Sequence, residues 1–323
     1  MDTEIMQNLF STLKSVFLTS QATAVWIPFI VTFFSCPLLI HFAPSTGLFD
    51  YPEESERKIH ISPKPLGGPA LLIGFLPIYL IYVKNPLPLT FGLLIVFFTG
   101  IADDLWGVKP KLKLFFHVVA ALLIVSFTHL PVTTFSLSPS LSFTLRGTAN
   151  SALIGFWLVG GTNGFNLIDG LDGLAAGIGI ISLTPLVVLT ATQTLFFPLG
   201  ALIATLVAIL LYNFHPAKLF LGDGGSYLIG FLASYLVVKG VSGITNSSGN
   251  GWSLVAGLML LGVPIIDTSL AIGRRVMSNQ GVMEADQDHI HHFLYRKFGH
   301  VSAVLTIYGL QVIFVSLGLL III

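Results

Sequence analysis

Ten apolar runs, each of a length that can cross a bilayer as a helix, follow one another along this 323-residue chain. They fall at 22–41, 66–84, 87–102, 113–130, 151–167, 174–190, 195–213, 226–243, 252–272 and 301–321, and a spanning helix needs roughly 17–25 residues. The runs are continuously apolar and do not alternate over about ten residues, which argues against a barrel. Composition explains why nothing soluble competes: 54% of residues are apolar and 9% charged, against roughly 25% charged in an ordinary soluble domain. So little charge also excludes a disordered chain. Lys plus Arg and Asp plus Glu balance at 15 each, so no basic excess exists to grip nucleic acid. The single cysteine, Cys36, excludes a disulfide scaffold and a thiolate metal site. The expected fold is all-α: one polytopic membrane domain over residues 1–323, with about ten transmembrane helices. Segment 1–20 is expected as a short interfacial helix and 273–300 as the longest loop.

Ten spans place both termini on one side and five loops, 42–65, 103–112, 168–173, 214–225 and 273–300, on the other. Counted with their edges, these loops hold Arg57, Lys58, Lys64, Lys109, Lys111, Lys113, Lys218, Arg274, Arg275, Arg296 and Lys297. Lys14, Lys84, Arg146 and Lys239 lie elsewhere. The positive-inside tendency therefore predicts cytoplasmic loops and external termini. That rule makes no demand on acids, yet every carboxylate except Asp2 and Glu4 lies in or beside the same loops. A polar site assembled from several loops at one face accounts for that distribution.

Four clusters carry the chemistry. Asp103-Asp104 stands where a span ends; neighbouring carboxylates repel, and a divalent cation would relieve them. From Asn163 to Gly173, Asn163, Asn166, Asp169 and Asp172 recur at every third position, and Gly170 and Gly173 predict that a helix ends there and the chain turns back. That turn would gather acceptors and amides around a small polar ligand. From Asn213 to Ser226, Pro216 interrupts a span, and Gly222, Asp223, Gly224 and Gly225 open the next. Free amides there would suit a phosphate, with Asp223 tolerable if a cation bridges the two and Lys218 nearby. This is not a P-loop, because the Gly-Lys-Ser/Thr ending is absent. The last loop carries Arg274, Arg275, Asp286, Asp288, His289, His291 and His292, in which forked arginines suit a diphosphate and the histidines suit a metal or a phosphate. A basic, turn-rich stretch from Arg57 through His60 to Lys64 adds further donors.

Carboxylates repel phosphates, so such a site needs Mg²⁺ or a similar ion, and phosphoryl transfer asks for little beyond positioning and charge neutralisation. A membrane location makes one reactant a lipid. The residues thus point to metal-dependent transfer between a water-soluble phosphate donor and a lipid acceptor. A transporter or flippase would place ionisable groups at mid-membrane and show repeated halves; neither pattern is visible.

The Asp103-Asp104 pair, the Asn163–Gly173 run, the His215–Ser226 run and the stretch Asp286 to His292 together resemble the polyprenyl-phosphate N-acetylhexosamine-1-phosphate transferases, in order from about Gly47 to His300. The His289-Ile290-His291-His292 ending resembles the branch that uses UDP-GlcNAc to start cell-surface polysaccharides. The resemblance implies that UDP-GlcNAc and undecaprenyl phosphate give UMP and undecaprenyl-diphospho-GlcNAc at the cytoplasmic face of a bacterial plasma membrane. It implies Mg²⁺, with Mn²⁺ as a substitute, held by Asp223 and Asn166. Asp103 would act near the lipid phosphate, with Asp104 in support. Asp172 would face the uracil and Asp169 would order that pocket. Arg274, Arg275, His289, His291 and His292 would contact phosphates, with His60, Lys64, Asn163 and Lys218 completing the substrate surface. Membrane lipids are partners, and a homodimer is allowed. Two positions depart from the family pattern: Gln287 stands where an Arg is common, and His117 where Gln is frequent. UDP-QuiNAc, UDP-FucNAc and UDP-GalNAc therefore stay open as donors, since one or two hydrogen bonds tell a hydroxyl from its absence or its epimer. UDP-MurNAc-pentapeptide, the donor of the peptidoglycan branch, stays as a further alternative.

Overall fold

The computed structural model describes residues 20–50, 64–128, 133–138, 141–191, 193–248, 253–278 and 289–322. The expected interfacial helix at 1–20 lies outside these apart from Ser20, as do His60, Asp286, Gln287 and Asp288. Among the described residues there are twelve helices and two short antiparallel hairpins: α1(Ser20–Thr46), β1(Phe49–Asp50), β2(Lys64–Pro65), α2(Gly68–Tyr82), α3(Leu87–Trp106), α4(Pro110–Phe127), β3(Thr133–Ser138), β4(Leu141–Leu145), α5(Gly147–Ile168), α6(Leu174–Leu189), α7(Phe196–Asn213), α8(Gly222–Ser248), α9(Ser253–Leu260), α10(Gly262–Met277), α11(Ile290–Phe298) and α12(His300–Ile322). An apolar solvent leaves backbone groups no outside partner, so continuous apolar runs fold as helices that satisfy their own amides and carbonyls.

Over the described residues each expected span is mostly helical, but they are not ten straight rods. Among the described residues, six helices are long and apolar enough to cross a membrane, or seven if α9 and α10 are taken as one span. α2 and α6 are shorter, with 15 and 16 residues. The span expected at 87–102 continues as helix through Asp103 and Asp104 to Trp106, so this acid pair occupies a last helical turn and not a loop. The expected loop 273–300 contains the end of α10 and all of α11.

α8 is the axis of the bundle. Its apolar window is 72% buried, whereas those of the peripheral α1 and α4 are 22% buried. Leu228, Ile229, Phe231, Leu232, Ala233 and Leu236 are each fully buried. Small residues let neighbours press close, as in other membrane helix pairs. A side chain at Gly100 of α3 would overlap the Gly224 backbone, and one at Gly68 of α2 would stand 2.8 Å from the Gly225 nitrogen. Gly222 begins α8 at φ +68°, a conformation that a Cβ disfavours. Around the rim, Phe34, Phe98, Phe156 and Leu320 are exposed, as lipid-facing side chains must be.

The ninth expected span is broken: α9 and α10 meet at 91°. Such a break frees backbone groups inside an apolar bundle, and Gln311 of α12 satisfies them. Its Oε1 accepts from the Val263 amide at 3.0 Å, and its Nε2 donates to the Leu260 carbonyl at 2.7 Å and to Ser182 Oγ at 3.0 Å. Gln311 is fully buried. The bend turns α10 across the end of the bundle and carries Asp267, Arg274 and Arg275 with it.

Replacing Gln311 with Leu should leave the Leu260 carbonyl and the Val263 amide unpaired, at about 1–3 kcal/mol for each buried group. The expected result is a clearly lower melting temperature in detergent; an unchanged melting curve would show that the break does not depend on Gln311.

Candidate active site

The polar groups gather where α3 ends, α4 begins, α5 ends and α8 begins. Gly107, at φ +67°, stops α3, and Pro110 starts α4. Asp103 closes the turn between them by accepting from the Val108 amide at 2.6 Å and from Lys113 in the first turn of α4. Lys113 Nζ also lies 3.8 Å from Asp223 Oδ2, so one ammonium is shared between two carboxylates. From α5, Asn166 Nδ2 donates to Asp223 Oδ1 at 2.9 Å and to Ser226 Oγ at 3.0 Å, while the Tyr227 hydroxyl donates to Asp223 Oδ2 at 3.2 Å. Asp103, Asp104, Asn166 and Asp223 thus form one contiguous patch, though they come from three helices.

Asp104 changes one expectation. Its two oxygens accept from the Asp223 amide at 2.8 Å and the Gly224 amide at 3.1 Å. These are amides that the sequence offered to a phosphate. A helix N-terminus attracts an anion, and here a carboxylate from the neighbouring helix fills that role.

The four residues at every third position diverge. Each step of three falls about 60° short of a full helical turn, and Asn163 meets different partners from Asn166. Asn163 Nδ2 lies 3.2 Å from His117 Nδ1 and donates to the Val159 carbonyl at 2.7 Å. Asp169 caps the end of α5. Asp172, in the turn before α6, accepts at Oδ2 from His215 Nδ1 at 2.8 Å and from the Ala217 amide at 3.1 Å, while its own amide donates to His300 Nε2 at 2.9 Å. A single ligand surrounded by all four is therefore not the arrangement found.

Donor atoms of Asp172, His215 and His300 lie within 4.8 Å of one another, a set that could hold a divalent ion. The two imidazoles, however, stack with centroids 4.1 Å apart and planes inclined by 22°. Lone pairs lie in the ring planes, so nearly parallel rings do not aim them at a common point. The Asp223 patch offers hard carboxylate and amide oxygens, which fit Mg²⁺ or Mn²⁺ better than imidazoles do.

A third group is built on α10 and α11. Asp267 Oδ2 lies 2.8 Å from His289 Nδ1, and Oδ1 accepts from the Ile290 amide at 3.0 Å. His291 packs its ring on Gly170, beside Asp169, which ties the histidines to the α5–α6 turn. Arg274 and Arg275 end α10, with Arg275 buried. Lys64 pairs with Asp50 in the β1–β2 ladder, and Lys218 is exposed in the α7–α8 connection. Lys113, Asp267, His215 and His300 were not expected in these roles. Lys113 counted only toward the charge bias of the loops, and Asp267 only as one acid among many.

Burial, then the neighbouring His292 and His289, push the His291 imidazole down to about 3. Unfolded, the same group takes its proton near pH 6.5. Between those values the unfolded chain binds more protons, so this contribution to stability is complete above about pH 6.5 and is lost as pH falls toward 3. His291→Phe should therefore lose less melting temperature than wild type between about pH 7.5 and about pH 5. Equal losses in the two proteins would show that His291 does not set this acid sensitivity.

Comparison with known proteins agrees with the geometry. The family model described as glycosyl transferase family 4 matches residues 87–241, which run from α3 into α8 and include the whole Asp103–Asp223 patch. A Bacillus subtilis protein named "Probable undecaprenyl-phosphate N-acetylglucosaminyl 1-phosphate transferase" is 39% identical over 86% of this chain and 78% of its own length. A decaprenyl-phosphate N-acetylglucosaminephosphotransferase of Mycolicibacterium smegmatis is 29% identical over 95% and 84%. An undecaprenyl-phosphate alpha-N-acetylglucosaminyl 1-phosphate transferase of Thermotoga maritima is 28% identical over 90% and 87%. With the all-α membrane fold and four helix ends meeting in one acidic patch, these matches show that the chain belongs to glycosyl transferase family 4, among the polyprenyl-phosphate N-acetylhexosamine-1-phosphate transferases.

Proposed function

We propose that this protein transfers N-acetylglucosamine 1-phosphate from UDP-GlcNAc to undecaprenyl phosphate, forming undecaprenyl-diphospho-GlcNAc and UMP, as the opening membrane step of a cell-surface polysaccharide. The observation that carries this reading is the Asp103–Asp104–Asn166–Asp223 patch, with Lys113 between Asp103 and Asp223, at the end of an apolar bundle. There a lipid phosphate and a soluble nucleotide can meet. The relatives from B. subtilis and T. maritima, named for this transfer, support it.

An oxygen of the lipid phosphate attacks the phosphorus that carries the sugar, and the bond from that phosphorus to the bridging oxygen breaks, with the electron pair leaving on UMP. Asp223 and Asn166 would hold a divalent cation such as Mg²⁺, which when bound would neutralise the donor diphosphate against the surrounding carboxylates. Lys113, between Asp103 and Asp223, offers a cation to the incoming phosphate. Both oxygens of Asp223 already accept hydrogen bonds, and Asp103 is engaged by Lys113 and the Val108 amide. Carboxylates held in this way are poor nucleophiles, so direct attack by the lipid phosphate is favoured over a covalent aspartyl intermediate. Asp172 acts on the nucleoside side by holding the His215–Ala217 turn, and Arg274, Arg275 and the histidines meet phosphate charge. The loop charges support a site facing the cytoplasm of a bacterial plasma membrane, with both termini outside.

Purified protein in detergent should release UMP from UDP-GlcNAc only when a divalent cation and undecaprenyl phosphate are both present; metal-independent release would contradict the mechanism. Asp223→Asn should lower turnover roughly a hundredfold or more with the fold retained, and full turnover would remove Asp223 from the ligand set. Running UDP-QuiNAc, UDP-FucNAc, UDP-GalNAc and UDP-MurNAc-pentapeptide in parallel, with the lipid product weighed by mass spectrometry, identifies the donor.

A further inference from the structure

We infer that Asp267 is a positioning residue that fixes the tautomer of His289 and seats the histidine-bearing helix. The inference rests on the transfer reading above for what His289 does, and on geometry for how Asp267 acts. Asp267 lies one turn past the break between α9 and α10 and is 4% exposed; His289 is equally buried at 4%. One carboxylate oxygen faces His289 Nδ1 at 2.8 Å and the other accepts from the Ile290 amide at 3.0 Å. An ionised carboxylate only accepts hydrogen bonds. The nitrogen facing it must carry the proton, and the other, Nε2, becomes an acceptor on the neutral ring or a second donor on the charged one. Buried partners of this kind commonly hold a working imidazole in one tautomer.

The second hydrogen bond makes the arrangement specific to a carboxylate. Ile290 contributes the first amide of α11, one of the orphan donors at a helix start, and His289 itself supplies no side-chain cap there. Asp267 caps α11 from another helix with one oxygen and orients the preceding imidazole with the other. The histidine rings continue from that anchor: His289 and His291 lie parallel with centroids 5.7 Å apart, and His291 and His292 are 4.2 Å apart. His291 then packs on Gly170 in the turn between Asp169 and Leu171. Asp267 thus sets the register between α11 and the α5–α6 turn as well as the tautomer. The break that Gln311 stabilises is what brings Asp267 to this position.

An amide cannot replace the carboxylate. Asn has one acceptor oxygen, whereas His289 Nδ1–H and the Ile290 amide are two donors. In Asp267→Asn the oxygen can cap Ile290 only if the amide nitrogen turns toward His289, which drives the imidazole proton to Nε2. Glu keeps two acceptors on a longer stem.

The test combines ¹⁵N-histidine NMR of the detergent-solubilised full chain, with His289 assigned by its absence in His289→Gln, and steady-state transfer from UDP-GlcNAc. Wild type should show His289 protonated on Nδ1, and Asp267→Asn should move that proton to Nε2. Turnover in Asp267→Asn should fall by roughly 10–100-fold while the KM for UDP-GlcNAc stays within about threefold, and Asp267→Glu should recover part of the loss with the wild-type tautomer. A purely structural role would lower the melting temperature of both variants and leave the tautomer unmoved. Wild-type His289 protonated on Nε2, an unmoved proton in Asp267→Asn, or unchanged turnover in that variant would each overturn the inference. Wild type that fails to release UMP would defeat the transfer reading instead, and the NMR spectra would still decide whether Asp267 sets the tautomer.

Discussion

The Asp104 carboxylate accepts from the Asp223 and Gly224 amides in the first turn of α8, and much of the site depends on that pair of hydrogen bonds. They join the last turn of α3 to the opening turn of the most buried helix. Hydrogen bonds to a charged group contribute about 1.5–3 kcal/mol each, and a carboxylate at a helix N-terminus gains from the dipole as well. The join is possible because Gly100 lets α3 lie against Gly224 and because Gly222 turns into α8 at positive φ. Once it is made, Asp103 and Asp223 meet across Lys113, and Asn166 reaches Asp223 from α5. Acidic groups that would repel one another as isolated neighbours are held by amides, an ammonium and a phenol. Such a held patch is the arrangement that the proposed cation and diphosphate would need.

Three polar groups divide the labour at this end of the bundle. The Asp103–Asp223 patch suits phosphate chemistry. The Asp172–His215–His300 group braces the connection between α7 and α8 against the start of α12. The Asp267–His289 pair anchors α11, whose His291 touches the α5–α6 turn. The turn from Asp169 to Gly173 borders all three: Asn166 stands just before it, His291 packs on its Gly170, and Asp172 belongs to it. The turn is thus the one segment that all three groups share.

Much of this was legible in the sequence because it depends on local pattern. Continuous apolar runs located the helices, and Gly170 and Gly173 marked the reversal between α5 and α6. The concentration of acids beside five loops pointed to a site at one end. The remainder depends on partners far apart in the chain. The break between α9 and α10 needs Gln311, about 50 residues later, to satisfy Leu260 and Val263; a run that reads as continuously apolar gives no sign of it. Nor does the three-residue spacing from Asn163 to Asp172 say that Asn163 will face His117 while Asp172 faces His215 and His300. Asp104 reads in the sequence as a support for Asp103 or the metal. Its partner amide, that of Asp223 on α8, lies about 120 residues away in sequence, and only the packing of α3 on α8 shows that its oxygens are committed to backbone amides.

The central claim, that one cation and one diphosphate meet at the Asp223 patch, is tested most directly by electron–nuclear double resonance of Mn²⁺ bound to the purified protein with UDP. The account predicts a phosphorus coupling in wild type that disappears in Asp223→Asn and persists in Asp172→Asn. A coupling that survives the change at Asp223 and disappears with the change at Asp172 would place the ion with His215 and His300 and contradict the account.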